Sequence, residues 1–344
     1  MLRLSVLDQS IAIAGRPQDA SIRESIALAQ ACEALGYERF WVAEHHNHDT
    51  IAGSAPEILM AAIAATTTRI RVGSAGIMLP HYSSLKVAEQ FRVLEAIAPG
   101  RIDLGLGRAP GSDGRTAYAL NPQAATRAEQ FPAQVRDLLA WVAGEPLPDD
   151  HPFRMIRAFP SGPTVPETWI LGSSDGGAQV AAYFGLPYCF AHFITDGRGA
   201  SFAFDLYREN YRPSPRNPKP HGAACVWALA AETEDEADYL FQTRAYWRLT
   251  RDTGVLRAIE SPEDVMKRPL SDAERARMKD LREQAFVGTP DKVAGRLREL
   301  AASLGIDEIA LLTWTYDPAA RLRSYELMAR EFGLPSPSPR PVQA

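Results

Sequence analysis

Short apolar runs of strand length recur along the chain, and most are followed by a segment whose apolar positions fall at helical spacing. The runs are LRLSVLD (residues 2–8), RFWVAEH (39–45), RIRVGSAG (69–76), RIDLGLG (101–107), TWILGSS (168–174), YCFAHF (188–193), ACVWALAAE (224–232) and EIALLTWT (308–315). After the first run, Ile22, Ile26, Ala29 and Cys32 mark one helix face, Ser21 and Glu24 have capping-box spacing at its start, and Gly36 closes it. Pro56 suits the first turn of the second helix. Before the last strand, Thr289 is a cap, Pro290 the first helical residue and Gly305 a stop, and residues 318–331 are again helical in pattern.

Eight repeats of strand then helix predict an α/β fold of the (β/α)8 TIM-barrel class, because an open sheet would more often stop at five or six strands. Such a barrel needs about 250 residues, so the remainder of the 344 is assigned to insertions. Two are expected: 144–166, with six prolines, before the fifth strand, and 234–285, charged and helical, after the seventh, as a lid. The reading is one domain over 1–333 and a Pro-rich extended or disordered tail over 334–344.

Composition changes this picture little. Hydrophobic residues make up 46% and charged residues 23%, enough for a large core. A net charge of −5 without basic runs argues against nucleic acid, and the lack of a long apolar run argues against a membrane span. Cys32, Cys189 and Cys225 form no CxxC pair and read as reduced core residues of a cytoplasmic protein.

In a barrel of this class, chemistry sits on the loops that follow the strands. Here those loops are DQS, EHHNH, SAGIMLPHY, GRAPGSDG, GSSDGG, HFITDG and TWTYDP, holding five of the seven histidines. His46 and His48 form an HxH pair of the kind barrel hydrolases use for metals, but only His192 and Asp317 are available to complete a set. Gly105, Gly107 and Gly111 miss the spacing of a dinucleotide fingerprint. GSSDGG lies between a strand and a helix, where small residues and free N–H groups attract an anion, and Arg108 at the neighbouring strand's end is a charged partner; a glycine turn beside a surface arginine is the plainer alternative.

The stretches RFWVAEHHN, IRVGSAGIMLP, KVAEQFRVLEAIAPGRIDLGLGR and WILGSSDGGAQVAAYFGLPYCFAHF together resemble the bacterial luciferase-like flavin-dependent monooxygenases, in family order from Leu4 to about Phe332. GRIDLGLGRAPGSD resembles a single-chain, largely uncharacterised subgroup. The resemblance implies a (β/α) barrel, FMN, and oxygen insertion or flavin-linked oxidation of a small-molecule substrate. As no module for accepting hydride from NADH is seen, reduced FMN is expected from a separate flavin reductase. A homodimer is also implied, and light emission is not.

Residue by residue, the first histidine of the family's EHH motif, which stands beside the flavin and transfers protons, matches His45; Glu44 is expected to orient it. A non-proline cis peptide that supports the flavin ring matches Ala75–Gly76. The phosphate residues match Arg108, Ser173 and Ser174, with Gly177 where a hydroxyl residue can occur; luciferases have glutamate at the Ser173 position. Asp8, His81, Tyr82, His192 and Trp314 are candidates for the substrate side. Rival readings are a deazaflavin-dependent dehydrogenase of the same fold, a non-catalytic flavin binder and the metal hydrolase.

Overall fold

The computed structural model describes residues 2–335. Eight parallel strands form its centre: β1 (Arg3–Asp8), β2 (Arg39–Val42), β3 (Arg71–Ser74), β4 (Ile102–Gly107), β5 (Glu167–Gly172), β6 (Tyr188–Phe190), β7 (Gly222–Ala230) and β8 (Glu308–Leu312). Each pairs with the next, and β8 pairs with both β7 and β1, with Glu308 opposite Ala223 and Arg3, so the sheet closes into a barrel. Around it run α1 (Gln18–Leu35), α2 (Pro56–Thr66), α3 (Ser84–Ile97), α4 (Phe131–Ala143), α5 (Asp175–Phe184), α6 (Ala200–Glu209), α7 (Pro290–Leu304) and α8 (Pro318–Glu331).

The strands are apolar on both sides because both are covered. With side chains alternating at a period of two, Val6, Phe40, Val42, Ile309 and Leu311 pack outward against the helices, while Leu7, Trp41, Ala310 and Leu312 face the barrel interior. At the end of the barrel where the strands begin, the interior is ionic. Arg39 reaches Asp103 at 2.9 Å, Glu167 at 2.7 Å and Glu308 at 2.8 Å, while Ser5 donates to Glu308 and Trp41 to Asp103. Burial pushes the Glu308 carboxyl up, but the His221 hydrogen bond and the Arg39 charge outweigh this and hold it at about 2. This plug closes the base, leaving the opposite mouth as the place for a cavity.

Several boundaries differ from the sequence reading. The first helix starts at Gln18 after Pro17; Ser21 is inside it, buried, donating to the Ile11 carbonyl instead of capping. Strands β2, β6 and β8 stop three residues short of the apolar runs, which continue as irregular chain or a short helix at the mouth. Residues 144–166 are irregular as expected. Two short helices after β4, Gly114–Leu120 and Ala124–Glu129, lack a strong apolar face and were not anticipated.

The second insertion is helical, with helices Glu234–Asp252, Pro262–Met266 and Asp272–Gln284. It ends in an unexpected strand, Phe286–Gly288, paired with the end of β7. The insertion is tied down over the mouth: Trp247 Nε1 donates to the Thr50 hydroxyl, which donates to the Arg257 carbonyl, and Ile259 bridges to Ile13. The proline-rich stretch from 336 onward lies outside the described residues.

Candidate active site at the barrel mouth

Beyond Ser74 the third strand loses its regular pairing, passes through a cis Ala75–Gly76 peptide, and resumes as Ile77–Met78 beside Leu106 and Gly107 of β4. The backbones are pressed together here. The Ser74 hydroxyl donates to the Gly105 carbonyl at 2.9 Å and accepts the Gly105 N–H at 3.1 Å. A Cβ on Gly105 would stand 2.0 Å from the Ser74 carbonyl oxygen, and one on Gly76 would stand 2.8 Å from the Gly105 oxygen. Glycine at both positions allows a low wall, and Ala75 and Gly76 border a cavity of about 450 Å³.

His45 and His48 enter the same cavity from the loop after β2, their rings 5.4 Å apart. The His45 backbone is fixed by its N–H bond to the Gly53 carbonyl, yet its buried Nδ1 has no partner. Desolvation, reinforced by His48 and His46, pulls its pKa from 6.5 down to about 4, so the ring is neutral at neutral pH. A neutral imidazole on a cavity wall can exchange a hydrogen bond or a proton with a ligand.

Glu44 turns the other way, which corrects its expected role as the orienting partner of His45. Its fully buried carboxylate accepts from Tyr82 at 2.7 Å and the Met78 N–H at 3.0 Å, and pairs with His46 at 2.7 Å. Although β2 has ended at Val42, side chains still alternate through 44–46, so Glu44 and His46 share the side away from the cavity. Glu44 thus clamps the loops after β2 and β3 together.

Across the cis peptide, Arg108 follows β4 and faces the start of α5. A Cβ on Gly176 would lie 3.5 Å from both terminal guanidinium nitrogens, so the glycine leaves a gap between arginine and helix. Ser173, Ser174, Gly176 and Gly177 border the cavity beside Arg108. The Ser174 hydroxyl does not cap the helix. A guanidinium, free hydroxyls and a helix N-terminus on one corner make a receptor for a phosphate-sized anion.

The remaining candidates divide. Trp314 borders the cavity. Asp8 is paired with Arg321 at 3.1 Å, and His81 hydrogen-bonds to the Pro110 carbonyl at 2.7 Å. His192 borders a neighbouring hollow under the insertion. The sequence reading missed His48 as a wall residue, along with Gln9, Arg244 and Trp247, which also border the cavity. Arginines at 244, 248 and 251, three and four residues apart, were the available signal for a cationic helix face.

Among the described residues, no three His, Cys, Asp or Glu side chains converge as a metal site. The HxH pair is split, His46 going to Glu44 and His48 to the cavity, while Asp317 caps α8 by accepting the Ala319 N–H. The hydrolase reading therefore has no ligand set. The cysteines are buried and unpaired, and no helix among the described residues is long and apolar enough to cross a membrane.

A closed barrel with a deep mouth cavity, an anion corner and an unpartnered histidine is the layout of a barrel enzyme with a small-molecule pocket. The chain belongs to the luciferase-like monooxygenase family, whose model matches residues 4–308. It is 43% identical over 334 residues to uncharacterized protein YwcH of Bacillus subtilis, covering 96% of this chain and 99% of that one. It is 35% identical over 333 residues to the N-acetyl-S-alkylcysteine monooxygenase of the same organism, covering 96% and 98%. The crystal structure of apo-MsnO8 matches with a TM-score of 0.88 and 37% identity, covering 97% of this chain and 99% of that one. Two more distant structures share the fold and hold different cofactors. The oxygenating constituent of 3,6-diketocamphane monooxygenase from a CAM plasmid of Pseudomonas putida, in complex with FMN, has a TM-score of 0.68 at 20% identity, covering 96% and 97%. An F420-dependent secondary alcohol dehydrogenase with an F420–acetone adduct has 0.66 at 14%, covering 96% and 98%.

Proposed function

We propose that this enzyme is the oxygenating half of a two-component system in the cytoplasm: it takes reduced FMN from a separate flavin reductase and uses molecular oxygen on a small organic substrate. The observation that carries the reading is the continuity of one cavity from the Arg108–Gly176 corner, past Ala75–Gly76, to His45. FMN fits this set: its phosphate against Arg108, Ser173, Ser174 and the N–H groups around Gly177, its ring against the Ala75–Gly76 wall. When bound, reduced flavin supplies the electrons for oxygen activation.

The protein's own contribution is positional and protolytic. Arg108 and the α5 start fix an anionic tail by charge-assisted hydrogen bonds. The Gly76 and Gly105 backbones let a flat ring system approach. The helical insertion, anchored through Thr50 and Ile259, keeps water from the mouth. His45, neutral and on the cavity wall, holds or accepts a proton beside the reacting region, help worth roughly 10²–10⁴ in rate. We also propose a homodimer, for which the exposed Ile58 on α2 and Val93 and Ile97 on α3 offer apolar surface; sedimentation at micromolar concentration as a monomer would reject it.

Anaerobic titration with reduced FMN is the test. Saturable binding, weaker binding of reduced riboflavin and oxygen consumption on admitting air are expected. Binding of reduced deazaflavin F420 in preference, without oxygen uptake, would replace the reading with the dehydrogenase one.

A further inference from the structure

Arg244 is a charged cavity residue that the flavin reading leaves without work. It stands on helix Glu234–Asp252, is 4% exposed, and makes no hydrogen bond or ion pair with any described residue. Instead its guanidinium carbon lies 4.4 Å from the Trp314 ring centre, 4.7 Å from Trp247 and 5.3 Å from Trp227. The nearby acids are engaged: Asp196 holds Arg248 through two bonds of 2.9 and 2.8 Å, and Asp252 holds Arg251 at 3.0 Å. Desolvation, with repulsion from Arg248 and Arg251, pulls the Arg244 pKa well down from its usual value. Packing offers no reason to keep such a group, since an apolar side chain of similar volume would stabilise the fold more. Its place on the cavity wall does offer one.

This cation is separate from the Arg108 corner. Arg108 follows β4, whereas Arg244 packs on Trp314, just past β8, and Trp227 of β7; β4 and β8 are opposite each other in the closed strand order. His45 and the Ala75–Gly76 wall follow β2 and β3, between them on one side. A tail phosphate at Arg108 therefore leaves Arg244 unmatched. Among the described residues, Arg244 is the one guanidinium at this end of the cavity without a hydrogen bond or ion pair, Arg251 being held by Asp252, and its aromatic frame suits a planar monoanion paired in a bidentate fork better than a phosphate dianion.

The geometry points to Arg244 as a carboxylate anchor: the substrate is an apolar molecule bearing one carboxylate, clamped by this guanidinium with its apolar part along Trp247 and Trp314 toward His45. This deepens the flavin reading and rests on it only for the reaction, not for the binding.

The test measures binding to the full-length protein by calorimetry and tryptophan fluorescence, with and without FMN. Its probes are matched pairs of carboxylate and primary amide: 4-phenylbutyrate, 6-phenylhexanoate and octanoate against their amides. At least one carboxylate should bind about tenfold or more tightly than its amide. Arg244→Gln should erase that margin while leaving amide and FMN affinity unchanged, and Arg244→Lys should restore part of it. Arg244→Gln should melt no lower than the parent, because an unmatched buried charge has gone. A series without any margin, a margin that survives Arg244→Gln, or a lower melting temperature would overturn the assignment. Loss of FMN binding in Arg244→Gln would give the residue to the flavin and also overturn it, with the flavin reading intact. A carboxylate margin in a protein that does not bind FMN would instead reject the flavin reading and keep this one.

Discussion

Replacing His45 by glutamine, a neutral side chain of similar reach, separates the histidine's electrostatics from its volume. Folding lowers its pKa from 6.5 to about 4, chiefly by desolvation. The unfolded chain therefore binds a proton here that the folded chain refuses, and stability falls as pH drops from about 6.5 to about 4, with no further loss below that. At about 1.4 kcal/mol per pH unit, the full effect is about 3 kcal/mol, and at pH 5 about 2 kcal/mol is already lost. Other titrating groups are common to both proteins and largely cancel in the comparison. Urea unfolding at pH 7.5 and at pH 5 should thus show His45→Gln losing about 2 kcal/mol less than the parent over that interval. An NMR titration should place the His45 ring resonance near 4. Equal losses in the two proteins, or a ring that titrates between 6 and 7, would refute the claim that the cavity holds this imidazole neutral.

Arg108→Ala should weaken FMN about tenfold to a hundredfold, as removal of a charge-assisted bond does, and leave riboflavin affinity unchanged; flavin fluorescence titration reads both. Arg39→Met takes one partner from each of three carboxylates in the barrel base, leaving Asp103 and Glu167 to Arg71 and Glu308 to His221, and should lower stability by about 3 kcal/mol in chemical denaturation, with little change in FMN affinity. In Gly105→Ala the new methyl would meet the Ser74 carbonyl at 2.0 Å. Because backbone has to move, a loss of about 3 kcal/mol is expected, together with weaker FMN binding. Glu44→Gln strips the charge from the clamp on His46, Tyr82 and Met78 and should lower the melting temperature, which calorimetry reads.

What the sequence determined by itself was periodic or local. Apolar runs of strand length alternating with helical faces specify eight units, because burial on both sides of a parallel strand demands continuous hydrophobicity. Pro290, Gly305 and the six prolines of 144–166 set local backbone limits that no packing overrides. The motif match located His45, Arg108 and Ala75–Gly76, since each is tied to a fixed place after a particular strand. Only the tertiary structure decided which way side chains face once a strand has ended: Glu44 went to the clamp, His48 to the cavity, and Ser21 into the helix interior. It also decided partnership at long range. Arg39 and Arg244 are both arginines in apolar company along the chain, yet one meets three carboxylates and the other none, because the first points into the base of a closed barrel and the second hangs over its mouth. Charge compensation depends on distances across the fold, and periodicity carries no record of those.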